Sequence, residues 1–157
     1  MTRFLMAASL TLSLAGPAGA QTAETAQTAQ TDSAKHQITV GATVTGTLTR
    51  HDPRTADGTY AQAWRLTGPA GHVVTIDLAS KAFDAFLMAR GAGLDSALAP
   101  LQDDDSGGHC NARLTIRIPA SGECTIVVTT SNRNSVGDFT LAVRSGAIPA
   151  SLAPCHG

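Results

Sequence analysis

From Ile38 onward, apolar residues recur at every second position, the period of a strand with one buried face. Ile38, Val40, Val44 and Leu48 share one parity, and Tyr60, Trp64 and Leu66 share the next. Val74, Ile76 and Leu78 alternate with Val73, Thr75 and Asp77. The same rhythm returns in Leu114-Ile116-Ile118, Cys124-Ile126-Val128 and Phe139-Leu141-Val143. Phe86-Leu87-Met88 reads as a further short strand rather than a helical turn. Asp57-Gly58, Gly68-Pro69-Ala70-Gly71, Ser106-Gly107-Gly108, Pro119-Ala120-Ser121-Gly122 and Val136-Gly137-Asp138 punctuate these runs as turns. The pattern predicts an all-β antiparallel sandwich of about eight strands with no long helix. Trp64, Val74, Ile76, Leu114, Ile116, Ile126, Val128 and Leu141 are expected to be buried together.

The alternation does not extend to the ends. Residues 1–20 read as a signal peptide: Arg3, then a short apolar run from Phe4 to Leu14, then Ala18-Gly19-Ala20 as a cleavage site. That run is too short to span a bilayer, and no later segment is apolar enough, so no membrane insertion is expected after cleavage. Residues 21–36 form a Thr/Ala/Gln-rich leader with no apolar face to bury. The sandwich is expected over 37–145, and 146–157 form a C-terminal tail to be tied down or left loose. Export places the mature chain in the periplasm or outside the cell.

Charge narrows the partners. The formal charge of the whole chain is −1, with no basic patch carrying interleaved aromatics, which argues against nucleic acid. An envelope or extracellular protein or polysaccharide is the expected partner. Trp64, the single Trp, is expected in the core, and Tyr60 is the better candidate for a surface contact. Asp52 and Asp57 flank a turn before Tyr60.

The densest charge cluster is Asp103-Asp104-Asp105. Adjacent carboxylates repel unless they are solvated or bridged by a cation. Calcium takes six to eight oxygens, so these residues, with Asp84 from a neighbouring loop, are the candidate calcium ligands. Asp105-Ser106-Gly107-Gly108 also invites comparison with the nucleophile loop of serine proteases. His51 or His72, Asp84 and Ser106 even follow in an order suited to a triad, but geometry rather than order defines one. Asp104 stands where that loop has Gly, and its charge would oppose a developing oxyanion. A minimal hydrolase using Ser106 is therefore the alternative to the non-catalytic reading.

Three cysteines in an exported chain imply one disulfide and one remaining thiol. If the strand from Phe139 pairs antiparallel with that from Thr125, Arg144 ends beside Cys124, and the tail returns Cys155 to it. Cys124–Cys155 is the expected bridge on that pairing, with Cys110–Cys155 close behind. His109, Cys110, Cys155 and His156 form a further candidate set for zinc or copper in a metal-handling protein.

The order of motifs resembles the bacterial pre-peptidase C-terminal domain family. G-A-T-V-T-G-T-L at Gly41 to Leu48 is similar to its opening strands, and A-G-H-V-V-T-I-D-L-A-S at Ala70 to Ser80 to its next segment. F-D-A-F-L at Phe83 to Leu87, D-D-D-S-G-G at Asp103 to Gly108 and N-A-R-L at Asn111 to Leu114 follow in order. P-A-S-G-E-C-T-I at Pro119 to Ile126 and G-D-F-T-L at Gly137 to Leu141 close the series. The resemblance implies a jelly-roll-like sandwich of a kind usually appended to secreted peptidases, some members binding calcium or a polymer such as collagen. Two departures stand out. The family commonly has an aromatic where Cys124 sits, and its collagen-binding members draw calcium ligands from an acidic N-terminal segment. Residues 21–36 here carry only Glu24 and Asp32 as acids.

Overall fold

The computed structural model describes residues 36–94 and 101–155. Nine strands and no helix occupy them: β1 (Gln37–Thr39), β2 (Thr43–Leu48), β3 (Gln62–Thr67), β4 (Val73–Ser80), β5 (Ala85–Arg90), β6 (Gln102–Asp103), β7 (Ala112–Arg117), β8 (Glu123–Thr130) and β9 (Gly137–Ser145). They form two sheets, ordered β1-β3-β8-β5-β6 and β2-β9-β4-β7. This is the all-β sandwich that the alternation predicts. One pair departs from it, because β1 runs parallel to β3. The signal peptide and most of the leader lie outside the described residues.

The even-numbered apolar positions of β3, β4, β7 and β8 turn inward between the sheets. Trp64, Val74, Ile76, Leu114, Ile116, Ile126, Val128 and Leu141 are all buried, as expected, in one cluster. Burial of this kind, at about 25 cal/mol per Å² of apolar surface, drives the two sheets together. Trp64 packs edge-on against Phe139 of the facing sheet, with ring centroids 6.1 Å apart.

Strand neighbours in space are seldom neighbours in sequence. β9 lies between β2 and β4, while β8 lies between β3 and β5. Among the described strands only β5 and β6 pair with the next strand in the chain. The expected β8–β9 pairing is therefore corrected, since the two strands belong to opposite sheets. The expected Cys124–Cys155 bridge falls with it. Cys124 faces the core on β8, in register with Leu66, and remains a buried free thiol. The bridge joins Cys110 to Cys155, with their Cα atoms 4.5 Å apart.

That bridge anchors the tail. After β9 the chain crosses the outer face of the second sheet, where Thr75 Oγ1 donates to Gly146 O and accepts the Ile148 N–H. Arg113 Nη1 donates to Pro149 O. Further on, Ser151 N–H donates to Ser106 O, and His109 N–H to Ala153 O. On the same face Asp77 accepts from Arg113 and Arg144, one guanidinium on each carboxylate oxygen.

Candidate functional site

Two places on the sandwich concentrate chemistry. The first is the acidic loop between β6 and β7. Asp103 ends β6, and both its oxygens already have partners from the chain. Oδ1 accepts the Ser106 hydroxyl at 2.5 Å. Oδ2 accepts the Ser106 N–H at 3.0 Å and the Arg113 N–H at 2.8 Å. An aspartate that satisfies loop amides in this way is a fixture of the turn. The Ser106 proton is directed at that carboxylate. Among the described residues, neither His51 nor His72 hydrogen-bonds Ser106.

The loop then turns through Gly108, His109 and Cys110, all with φ between 57° and 79°. This left-handed run folds Cys110 back, and its carbonyl accepts the Ala85 N–H at 3.0 Å. That bond ties the loop to the start of β5 and so brings Asp84 beside it. Asp84, Asp105, Cys110 and Cys155 each place a ligand-type atom within 4.8 Å of the others. The structure thus gathers Asp84 and Asp105 from the expected calcium set, while Asp103 is turned to the loop backbone and Asp104 is exposed. Asp84 Oδ1 is buried without a hydrogen-bond partner. Desolvation, and then the charges of Asp105 and Asp104, push the Asp84 carboxyl above its ordinary value. The expected His/Cys metal set is not assembled as read, because the disulfide takes both sulfurs as donors. His156 lies outside the described residues.

The second place is a cleft of about 850 Å³ between β2 and β3. His36, Thr47, Asp52, Arg54, Gln62 and Trp64 are among its lining residues. β1 covers β3 only from Arg65 onward, which leaves the earlier part of β3 beside the cleft. The Gln62 carboxamide is fixed by its nitrogen, which donates to Thr47 O at 2.9 Å and to the Asp52 carboxylate. Two acceptors on that side settle which end is nitrogen. Gln62 Oε1 is left without a partner, as is the Trp64 indole N–H two residues along, and both atoms are buried. The His36 ring lies against Trp64, with centroids 4.8 Å apart.

Tyr60, expected at the surface, is instead buried at 6% exposure. Its hydroxyl accepts from Arg54 Nη2 at 2.5 Å, and that guanidinium sits 4.0 Å from the ring centroid. Strand alternation alone passes over Gln62. The signal was there: a polar residue holds the inward parity between Tyr60 and Trp64.

The architecture defines a class, the two-sheet all-β sandwich. No family model matches the chain, and no curated protein matches it. Among solved structures it is similar to the pre-peptidase C-terminal domain of a collagenase from Bacillus anthracis. That match has 14% identity and a TM-score of 0.48, and covers 69% of this chain and 92% of that one. It is also similar to Aeromonas hydrophila PliG, a periplasmic inhibitor of g-type lysozyme. Identity there is 17% and the TM-score 0.43, over 69% of this chain and 96% of that one.

Proposed function

We propose that this chain is an exported, non-catalytic binding module of the periplasm or cell exterior, whose ligand is an envelope protein or polysaccharide. The observation that carries the reading is the pair of unpartnered polar atoms beside the β2–β3 cleft. Buried polar groups are nearly always hydrogen-bonded, and an orphan costs about 1–3 kcal/mol. Gln62 Oε1 offers an acceptor and Trp64 Nε1 a donor, both neutral and on one strand face. A ligand hydroxyl or amide that opens the cleft far enough to reach these buried atoms supplies what each lacks. The disulfide suits an oxidising compartment.

The single Trp makes the test direct, because the protein has one indole N–H resonance. That resonance is expected to shift on titration with soluble envelope polysaccharide fragments or with an envelope protein. Trp64→Phe, which removes the donor and keeps an aromatic ring, is expected to weaken binding. A resonance unmoved by either ligand class would sink the proposal.

We further propose calcium as a stabilising cation at Asp84 and Asp105, with Asp104 alongside. The unpartnered Asp84 Oδ1, close to the Asp105 carboxylate, supports this reading. Extracellular calcium modules bind at about 10⁻⁴–10⁻³ M, and a hundredfold excess over Kd stabilises by about 2.7 kcal/mol. Millimolar calcium is expected to raise the Tm of the oxidised protein, EDTA to reverse the rise, and Asp84→Asn plus Asp105→Asn to abolish it. Equal melting curves in calcium and in EDTA would end this reading.

A further inference from the structure

Asp84 and Asp105 lie beside the Cys110–Cys155 disulfide, so the donors this cluster can offer depend on the oxidation state of that bond. We infer that, when the Cys110–Cys155 bridge is reduced, the two sulfurs join Asp84 and Asp105 as a tetrahedral site for zinc. The inference shares two carboxylates with the calcium reading but does not depend on it, because it concerns the reduced chain.

Geometry comes first. One ligand atom from each residue already lies within 4.8 Å of the other three. Zinc–sulfur bonds of about 2.3 Å and zinc–oxygen bonds of about 2.0–2.2 Å require donors roughly 3.4–3.8 Å apart in a tetrahedron. The cluster is therefore compact enough for a zinc site once the two sulfurs move apart. Opening the S–S bond needs the sulfurs to separate, and Cys155 is exposed, with no core packing against it to prevent this. Cys110 is held in place by the Ala85 N–H on its carbonyl and by the left-handed turn that carries it.

The chemistry of the donors agrees. Asp84 Oδ1 has no hydrogen-bond partner to give up. Two thiolates and two carboxylates around Zn²⁺ carry the same net charge as a four-thiolate structural zinc site. Sulfur ligands select zinc over calcium, whereas the carboxylates alone favour hard cations. The oxidation state of one bond thus chooses the metal preference of one cluster. Reduction by a phosphine balances simply: the S–S bond takes two electrons, the phosphine becomes its oxide with oxygen from water, and the protons of that water give two thiols. Zinc then displaces one proton from each thiol. An exported chain passes through this reduced state before its disulfide forms, so zinc and oxidation compete for the same two sulfurs.

The experiment uses the full chain, oxidised or reduced with tris(2-carboxyethyl)phosphine and freed of excess reductant. Bound zinc is measured after dialysis, and cobalt(II) is substituted as a spectroscopic probe. The reduced protein is expected to retain one zinc per chain and the oxidised protein none. Cobalt is expected to give a near-ultraviolet thiolate charge-transfer band with the intense visible bands of tetrahedral coordination. Asp84→Asn plus Asp105→Asn is expected to weaken zinc at least ~10-fold, the scale expected when a metal ligand or its support is lost, with the thiol count unchanged. Cys124→Ser is expected to leave zinc binding as it was. Circular dichroism checks the fold of each species. Equal zinc retention by oxidised and reduced chains would overturn the inference. So would undiminished affinity in the double Asn variant, octahedral cobalt, or a reduced chain that stays unfolded with zinc present.

Discussion

Asp103 accepts the backbone N–H of Arg113 across the acidic loop at 2.8 Å, so a carboxylate from the most charged stretch of the chain fixes the start of β7. Asp103→Ala leaves that N–H and the Ser106 N–H without their acceptor, which costs about 1–3 kcal/mol for a buried group. Asp104→Ala, at an exposed position, is expected to stay within about 0.5 kcal/mol of wild type. Urea unfolding of the two variants checks the contrast, and equal losses would show that Asp103 has no special place in the turn.

Asp84 gives the protein a pH signature. Its folded-state pKa is raised above the ordinary value of 3.8, first by desolvation and then by Asp105 and Asp104. The folded state therefore holds this proton more tightly than the unfolded chain does. The stabilisation is fully present below 3.8 and is lost as pH rises through the raised folded value. Asp84→Asn cannot lose it. In EDTA the variant is expected to melt higher than wild type at neutral pH, and the gap is expected to close below the ordinary value. A gap that stays constant across the pH range would contradict this assignment.

Cys124 is expected to be chemically quiet. Burial, then the charge of Glu123, pushes its thiol up to about 11. The thiolate is the reactive form, so iodoacetamide is expected to leave the native oxidised protein unmodified. In denaturant it should alkylate one thiol per chain. Rapid alkylation of the native protein would mean that Cys124 is not shielded by the core.

Removing the bridge with Cys110→Ser plus Cys155→Ser is expected to cost about 2–4 kcal/mol, the usual range for a native disulfide. The residues it links are 45 apart in sequence. Faster proteolysis between 146 and 155 is expected to accompany the loss. Limited digestion with mass spectrometry reads it, and an unchanged cleavage pattern would show that the hydrogen bonds hold the tail unaided.

Ile116→Ala tests the core. Ile116 is 4% exposed and pairs with Val74 on the neighbouring strand of the same sheet. A cost of about 2–5 kcal/mol is expected for such a truncation. A loss below about 0.5 kcal/mol would place that strand face in solvent.

Faces were legible in the sequence, and neighbours were not. Alternation tells which side of Ile126 or Leu141 turns inward, because successive side chains point to opposite faces. It carries no record of which strand lies alongside, so a β8–β9 pairing that brings the tail to Cys124 fits the alternation as well as the true one does. The candidate site was legible to a similar depth. Asp84 and Asp105 come within 4.8 Å of one another, but adjacent aspartates look alike on paper. Only the path of the loop separates Asp103, bonded to the Ser106 and Arg113 amides, from exposed Asp104. Gln62 was hidden for another reason: a polar residue at an inward position gains meaning only when its partners can be counted.

The place of β9 between β2 and β4 has a consequence for how the protein is made. Leu48 pairs with Gly137, and Leu78 with Leu141, so the second sheet cannot close until the last strand has arrived. Sandwiches dominated by such distant pairings fold in milliseconds to seconds. A chain delivered N-terminus first must therefore keep β2 and β4 unjoined, with their inward faces bare, for as long as β9 is still on its way. Edge strands and apolar faces in that condition are open to wrong partners. β2 carries no charged residue and no proline between Thr43 and Leu48 to discourage them. The assembly of this module is thus most vulnerable in the interval before its C-terminal strand emerges.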